Sequence, residues 1–232
     1  MKFIEGSGVI ATGAGQILTC LKRFLRSYVL PPSLYQALQK RKWAWRNELP
    51  LDEYMGDRWS LLRASLDGAE RYLEYGCGLS SEFVASNYDC QIRSVETSSE
   101  WAEKIQANLG QRADIFHVNL GPVGPWGRPE GYSHRQRFTD YCEAGFKDDY
   151  APDVVLIDGR FRVAVFLTAL LRVSPGTHMV FDDYPNRPHY HVVEEIILPV
   201  ELSEQQAKFV RPTQIDAETV LRLRDGFIHV ME

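Results

Sequence analysis

Five carboxylates and one glycine turn stand at the ends of short apolar runs, and these residues have the types and spacing that could do chemistry. They are Glu74 with Gly76-Cys77-Gly78, then Glu96, Asp158 and the pair Asp182-Asp183, with Asn119 closing a further run. Glycines at 76 and 78 permit a sharp strand-to-helix turn and a close backbone approach by a ligand. Glu74, two residues earlier, places a carboxylate where it would meet a cationic ligand group rather than a phosphate. Glu96 follows Gly78 by 18 residues, with Thr97 beside it, and is spaced to accept from the two hydroxyls of a ribose. A dinucleotide fingerprint would require a third glycine at position 81, which is Ser81. A ribose and an amino group without phosphates describe S-adenosylmethionine.

Asp158, Asp182 and Asp183 form a second group. Together they could give oxygen ligands to Mg2+. Alternatively Asp158 holds cofactor or substrate, and Asp182 or Asp183 caps a turn. Just beyond these strand ends lie Arg160, Arg162, Arg187, His189, Tyr190 and His191. Arginines fork onto carboxylate or phosphate, which suits an anionic acceptor, and a histidine such as His189 can take a proton from an acceptor hydroxyl. The same arginines could instead pair with the neighbouring aspartates. Cys77 has no histidine nearby in sequence and reads as backbone lining of the turn.

These residues need a scaffold that gathers strand ends, and the chain supplies one. From residue 71 onward, β-rich runs at Arg71–Tyr75, Gln91–Glu96, Asp114–Leu120, Asp153–Asp158 and His178–Asp182 alternate with helical patterns. Thr97-Ser-Ser-Glu100 reads as a capping box opening a helix, Phe161–Val173 as a buried helix, and Tyr132–Phe146 as a further helix. Two more runs, Ala207–Arg211 and Phe227–Met231, flank a helical pattern at Asp216–Leu223. The expected fold class is α/β, a doubly wound, mostly parallel sheet of seven strands. Ligands of such a sheet collect at the carboxyl ends of the strands, where the strand order reverses.

The chain has 232 residues, 44% hydrophobic and 25% charged, enough apolar surface for one large globular body. A pI near 5.7 argues against bulk nucleic-acid binding. Residues 1–50 carry +6 and the remainder −11. The division is therefore a helical N-terminal extension or cap at 1–65 and an α/β domain at 66–232. Within the extension, Gln16–Leu30 is amphipathic, with Lys22, Arg23 and Arg26 opposite an apolar stripe. It reads as a helix packed over the body, or as a peripheral membrane contact. No stretch is long and apolar enough to span a membrane. Four scattered cysteines and no secretory pattern point to a reduced, cytoplasmic setting. Assembly as a homo-oligomer is compatible with the sequence.

The segments YLEYGCGLSSEF at 72–83, SVETSSEWAEKI at 94–105, VNLGPVGPWGRP at 118–129, PDVVLIDGRF at 152–161 and SPGTHMVFDDY at 174–184 resemble the class I, Rossmann-like S-adenosylmethionine-dependent methyltransferases. The resemblance implies that Glu74, Gly76, Cys77 and Gly78 line the methionine end of the cofactor. It further implies that Glu96 and Thr97 hold the ribose, that Asn119 and Leu120 border the adenine, and that Asp158 adjoins the cofactor. The aspartates are similar to the metal set of catechol- and caffeoyl-type O-methyltransferases, although Asp183 stands where those families have Asn and Arg160 where they have a lysine base. The family's last two strands usually form a hairpin, and here a helical stretch is expected between them. The function expected is methyl transfer to a small-molecule acceptor at oxygen, with Asp158, Asp182 and His189 as catalytic candidates and Arg160, Arg162, Arg187 and Tyr190 binding the substrate. A nicotinamide-dependent oxidoreductase and a non-catalytic binding protein are the rival readings.

Overall fold

The computed structural model describes residues 56–231. The expected helix at Gln16–Leu30 lies outside these residues, as does most of the expected N-terminal extension. The first described elements are a 3-10 turn at Gly56–Trp59 and helix α1, Ser60–Leu66, whose Leu61, Leu62 and Leu66 are buried. The Leu62 backbone N–H donates to the Gln206 side chain at 3.2 Å, tying α1 to the sheet.

Seven strands follow: β1 Arg71–Tyr75, β2 Gln91–Glu96, β3 Ala113–His117, β4 Val154–Ile157, β5 His178–Asp182, β6 Glu201–Leu202 and β7 Gln206–Val210. Their spatial order is β3-β2-β1-β4-β5-β7-β6. The first five are mutually parallel, whereas β7 runs antiparallel to both β5 and β6. β4 is VVLI with every residue buried, as expected of a central strand covered on both faces. The order reverses between β1 and β4, so the crevice opens above Tyr75 and Ile157.

Helices α2 (Leu79–Asn87), α3 (Ser99–Leu109), α4 (Phe138–Ala144), α5 (Arg162–Arg172) and α6 (Ala217–Phe227) make the connections and the closing layer. α3 is capped by Ser98, whose hydroxyl accepts from the Trp101 N–H, one residue later than the expected cap at Thr97. Thr97 is drawn away because its hydroxyl donates to the Gly127 carbonyl at 2.6 Å. α5 is buried from Arg162 to Leu170, as an apolar helix between layers must be. The expected helix Tyr132–Phe146 is shorter, a 3-10 turn at Arg135–Arg137 leading into α4.

The tail differs from expectation. The hairpin is present as β6 and β7, and the helix follows it rather than separating its strands. Phe227–Met231 forms no strand: Phe227 ends α6, and Phe227 and Ile228 pack beside the core. An apolar run this short carries no periodicity that separates a strand from a helix end. Among the described residues, no helix is long and apolar enough to cross a membrane.

Candidate active site

β1 delivers the glycine turn. Gly76 adopts a φ of +89°, a left-handed conformation that suits glycine, and its N–H donates to Val95 at 2.8 Å. A Cβ on Gly76 would lie 2.8 Å from the Cα of Gly159, so the turns after β1 and β4 touch backbone to backbone. The Arg160 N–H donates to the Tyr141 hydroxyl at 3.2 Å, and Tyr141 is buried beneath the junction.

Glu74 does not face a ligand. It is completely buried, and its carboxylate accepts hydrogen bonds from the hydroxyls of Tyr72 (2.9 Å), Ser80 (2.7 Å), Ser94 (2.6 Å) and Ser81. Burial raises its pKa, against the four hydroxyls that lower it. The expectation that Glu74 meets a cationic group is therefore corrected: it welds β1 to β2 and to the first turn of α2. Ser81 also accepts from the Gly78 N–H at 2.9 Å, so a donor that a pyrophosphate would need at this helix N-terminus is already used.

Glu96 ends β2 within the crevice and is nearly buried. Its Oε1 accepts from the N–H groups of Thr97 (2.7 Å) and Ser98 (2.9 Å), which fixes the side chain. Oε2 accepts one long hydrogen bond among the described residues, from the Cys77 thiol at 3.8 Å, and keeps capacity for a further donor. Burial, with the nearby Glu96, pushes the Cys77 thiol upward, consistent with an inert lining residue. Trp101 holds the turn from the other side through an indole N–H donated to the Cys77 carbonyl at 2.6 Å. The loop after β3 folds over this corner: a Cβ on Gly127 would meet the Thr97 hydroxyl and lie 3.0 Å from Glu96 Oε1. That approach leaves Trp126 73% exposed at the rim. Leu120 is buried, while Asn119 is exposed and accepts from the Gly121 N–H at 2.9 Å in a local turn.

The aspartates come together at the ends of β4 and β5. Asp158, Asp182 and Asp183 offer carboxylate oxygens within 4.8 Å of one another. Arg162 stands among them, 4% exposed. It donates to the carbonyls of Gly159 (3.0 Å), Asp182 (2.8 Å) and Asp158 (2.9 Å), and its guanidinium lies 2.8 Å from Asp158 Oδ1 and 3.5 Å from Asp183 Oδ2. Arg187 pairs with Asp183 at 3.0 Å, and Arg58 reaches Asp183 at 3.6 Å and Asp182 at 3.8 Å. A dication placed among these carboxylates would confront guanidinium groups already paired with Asp158 and Asp183. The set fits an ion-pair network and not a Mg2+ site, contrary to the metal expectation.

Burial, reinforced by Asp158 and Asp183, pushes Asp182 up to about 8. Burial also raises Asp158, opposed by Arg162. Tyr190 is buried, its hydroxyl receiving Arg187 Nη1 at 3.3 Å, and exposed His189 packs edge-on against its ring. Sequence reasoning missed Arg58 and Gln206. Gln206 pairs with Asp182 in strand register, donates to its Oδ1 at 3.1 Å and is fully buried. Gln206 opens β7, a strand that also carries Lys208, so the local pattern gave no sign of its burial.

No family model matches the chain, and no curated protein matches it in sequence. Solved structures do. A methyltransferase-like protein from Silicibacter pomeroyi is 30% identical, with 75% of this chain and 94% of that chain covered and a TM-score of 0.65. This chain belongs to the class I S-adenosylmethionine-dependent methyltransferase family. More distant solved structures also match. The N-methyltransferase NodS from Bradyrhizobium japonicum, in complex with S-adenosyl-L-homocysteine, is 13% identical over 72% of this chain and 90% of its own, at a TM-score of 0.47. An O-methyltransferase from Bacillus cereus, also in complex with S-adenosylhomocysteine, is 17% identical over 84% and 97%, at 0.43. Within this family member, the described residues bring the glycine turn, Glu96 and Asp158 to one crevice and set the Asp182–Asp183 network beside it.

Proposed function

We propose that the protein binds S-adenosylmethionine in the crevice between β1 and β4 and transfers its methyl group to an oxygen of a small-molecule acceptor. The observation that carries this reading is Glu96: one carboxylate oxygen is locked by the Thr97 and Ser98 N–H groups, and the other, at the glycine turn, accepts only a long bond from the Cys77 thiol among the described residues. A fixed acceptor of that kind suits the vicinal hydroxyls of a ribose. The bond from Gly78 to Ser81 argues against a dinucleotide, which would place its pyrophosphate there. The bound cofactor supplies a methyl group already activated on a sulfonium.

What remains for the protein is placement and proton management. Gly76 and Gly78 let the ligand approach the backbone, and the loop carrying Trp126 borders the crevice on the ribose side. Asp158 is the group placed to take the acceptor's proton. Its Oδ1 is held by Arg162, and burial raises its pKa above the ordinary aspartate value, with Arg162 opposing the rise. Calorimetric titration of S-adenosylmethionine and S-adenosylhomocysteine into the full chain tests the reading. The wild type binds both, Glu96→Ala loses at least about tenfold in affinity, a loss of about 1.4 kcal/mol or more, and NADH does not bind. A folded wild type that binds neither would end the proposal.

A further inference from the structure

Four arginines stand near the ends of β4 and β5, and they do not share the same electrostatic fate. Arg58, Arg162 and Arg187 each face an aspartate, at distances from 2.8 to 3.8 Å. Arg160 has no ion pair and no side-chain hydrogen bond to any described residue. Its Nε is shut off from solvent and has no acceptor. Asp158 and Asp183 thus take up Arg162, Arg187 and Arg58, and Arg160 is left with no carboxylate paired to it among the described residues. Its backbone is not free to wander, because the Arg160 N–H is held by the Tyr141 hydroxyl and the adjoining Gly159 is wedged against Gly76.

We propose that Arg160 receives an anionic group, a carboxylate, phosphate or sulfate, carried by the methyl acceptor. This rests on the methyl-transfer reading and narrows its substrate class. A guanidinium presents paired N–H donors that match two oxygens of such a group, and a half-buried one gains more from that match than a solvated one. Arg160 lies two residues beyond Asp158, in the turn that touches the glycine turn after β1. An acceptor tethered there by its anion is held beside both the proposed proton acceptor and the proposed methionine end of the cofactor. Arg162 and Arg187, which the sequence grouped with Arg160, are spent on the aspartates and do not serve this purpose. The burial and the nearby Arg162 that depress the Arg160 pKa describe the same uncompensated charge.

The test uses the full chain loaded with S-adenosylhomocysteine and titrated calorimetrically with inorganic phosphate, sulfate and benzoate, with benzamide as the neutral counterpart of benzoate. At least one anion binds saturably, benzamide does not, and Arg160→Gln weakens anion binding by about tenfold or more. Arg160→Lys retains part of it, and Arg172→Gln, which removes an exposed cation paired with Glu143, retains all of it. Both Arg160 variants keep the wild-type S-adenosylhomocysteine affinity, which shows that they are folded. No anion binding in the loaded wild type, or equal binding in Arg160→Gln, overturns the proposal. Failure of S-adenosylhomocysteine to bind strikes at the cofactor reading instead, and the anion titration can then be read on the unloaded protein.

Discussion

Gly159 and Gly76 meet without room for a single methyl group: a Cβ on Gly159 would stand 2.9 Å from the Gly76 nitrogen, and one on Gly76 would stand 2.8 Å from the Gly159 Cα. The contact joins the two strand ends that flank the crevice, so its spacing sets the crevice width. Gly159→Ala is expected to cost about 1–3 kcal/mol of stability through overpacking. It should also weaken S-adenosylhomocysteine binding, because besides the Tyr141 hydroxyl the obstructing atoms are backbone of Tyr75 and Gly76, which cannot turn aside. Denaturant unfolding and calorimetry report the two effects. Unchanged ligand affinity in a destabilised Gly159→Ala would place the binding site elsewhere.

Glu74 separates a structural from a ligand-binding role. Truncation in Glu74→Ala leaves the hydroxyls of Tyr72, Ser80, Ser81 and Ser94 without their shared acceptor. At about 1–3 kcal/mol for an unsatisfied buried group, the loss should be several kcal/mol and visible in thermal unfolding. Glu74→Gln, which keeps one carbonyl acceptor, should recover part of it. If Glu74 instead contacted the ligand, Glu74→Gln would lose cofactor affinity at unchanged stability.

The ion-pair network predicts indifference to chelators. Incubation with EDTA followed by gel filtration should leave cofactor affinity and melting temperature unchanged, and added Mg2+ should stabilise nothing. Removing the central cation is the harmful change. Arg162→Met strands Asp158 beside Asp183 in a largely buried setting, which should destabilise by about 3–5 kcal/mol as broken buried pairs do. A chelator-sensitive wild type would reverse this assignment.

Stability should fall as pH rises. Asp182 holds its proton up to about 8 in the folded protein, whereas an unfolded aspartate releases it near 4. Between those values the native state binds more protons than the unfolded state, so raising the pH favours unfolding. The contribution is fully present below the ordinary aspartate range and is lost as pH climbs toward 8. Asp182→Asn keeps an acceptor for the Gln206 amide and should flatten the profile in that window. Melting curves from pH 5 to 9 compare the two, and parallel profiles would contradict the assignment.

The sheet was legible because its central strands are short apolar runs bounded by polar or glycine residues. Arg71–Tyr75, Gln91–Glu96 and His178–Asp182 fall in the structure at the bounds the sequence suggested. The positions of Glu96, Asp158 and Asp182 at strand ends followed from the same pattern. What each side chain does there did not follow. Glu74 sits opposite Ser94 in the β1–β2 register, and that pairing, invisible to a linear reading, turns a candidate ligand contact into a buried brace. The three carboxylates suggested a metal because spacing shows which charges gather but not which cation comes between them. Arg58 comes from a stretch more than a hundred residues away in sequence, and local pattern carries no sign of it.

The single hydrogen bond from Gly78 to Ser81 bears on how such a protein would choose among adenosine compounds. Adenine nucleotides and S-adenosylmethionine share the same base and sugar, so neither the loop over Thr97 nor the carboxylate of Glu96 could tell them apart. Discrimination then falls to the opposite end of the ligand. A helix terminus that has already given a donor to its own serine offers phosphates less to bind, and the protein could remain vacant toward nucleotides without any residue devoted to repelling them.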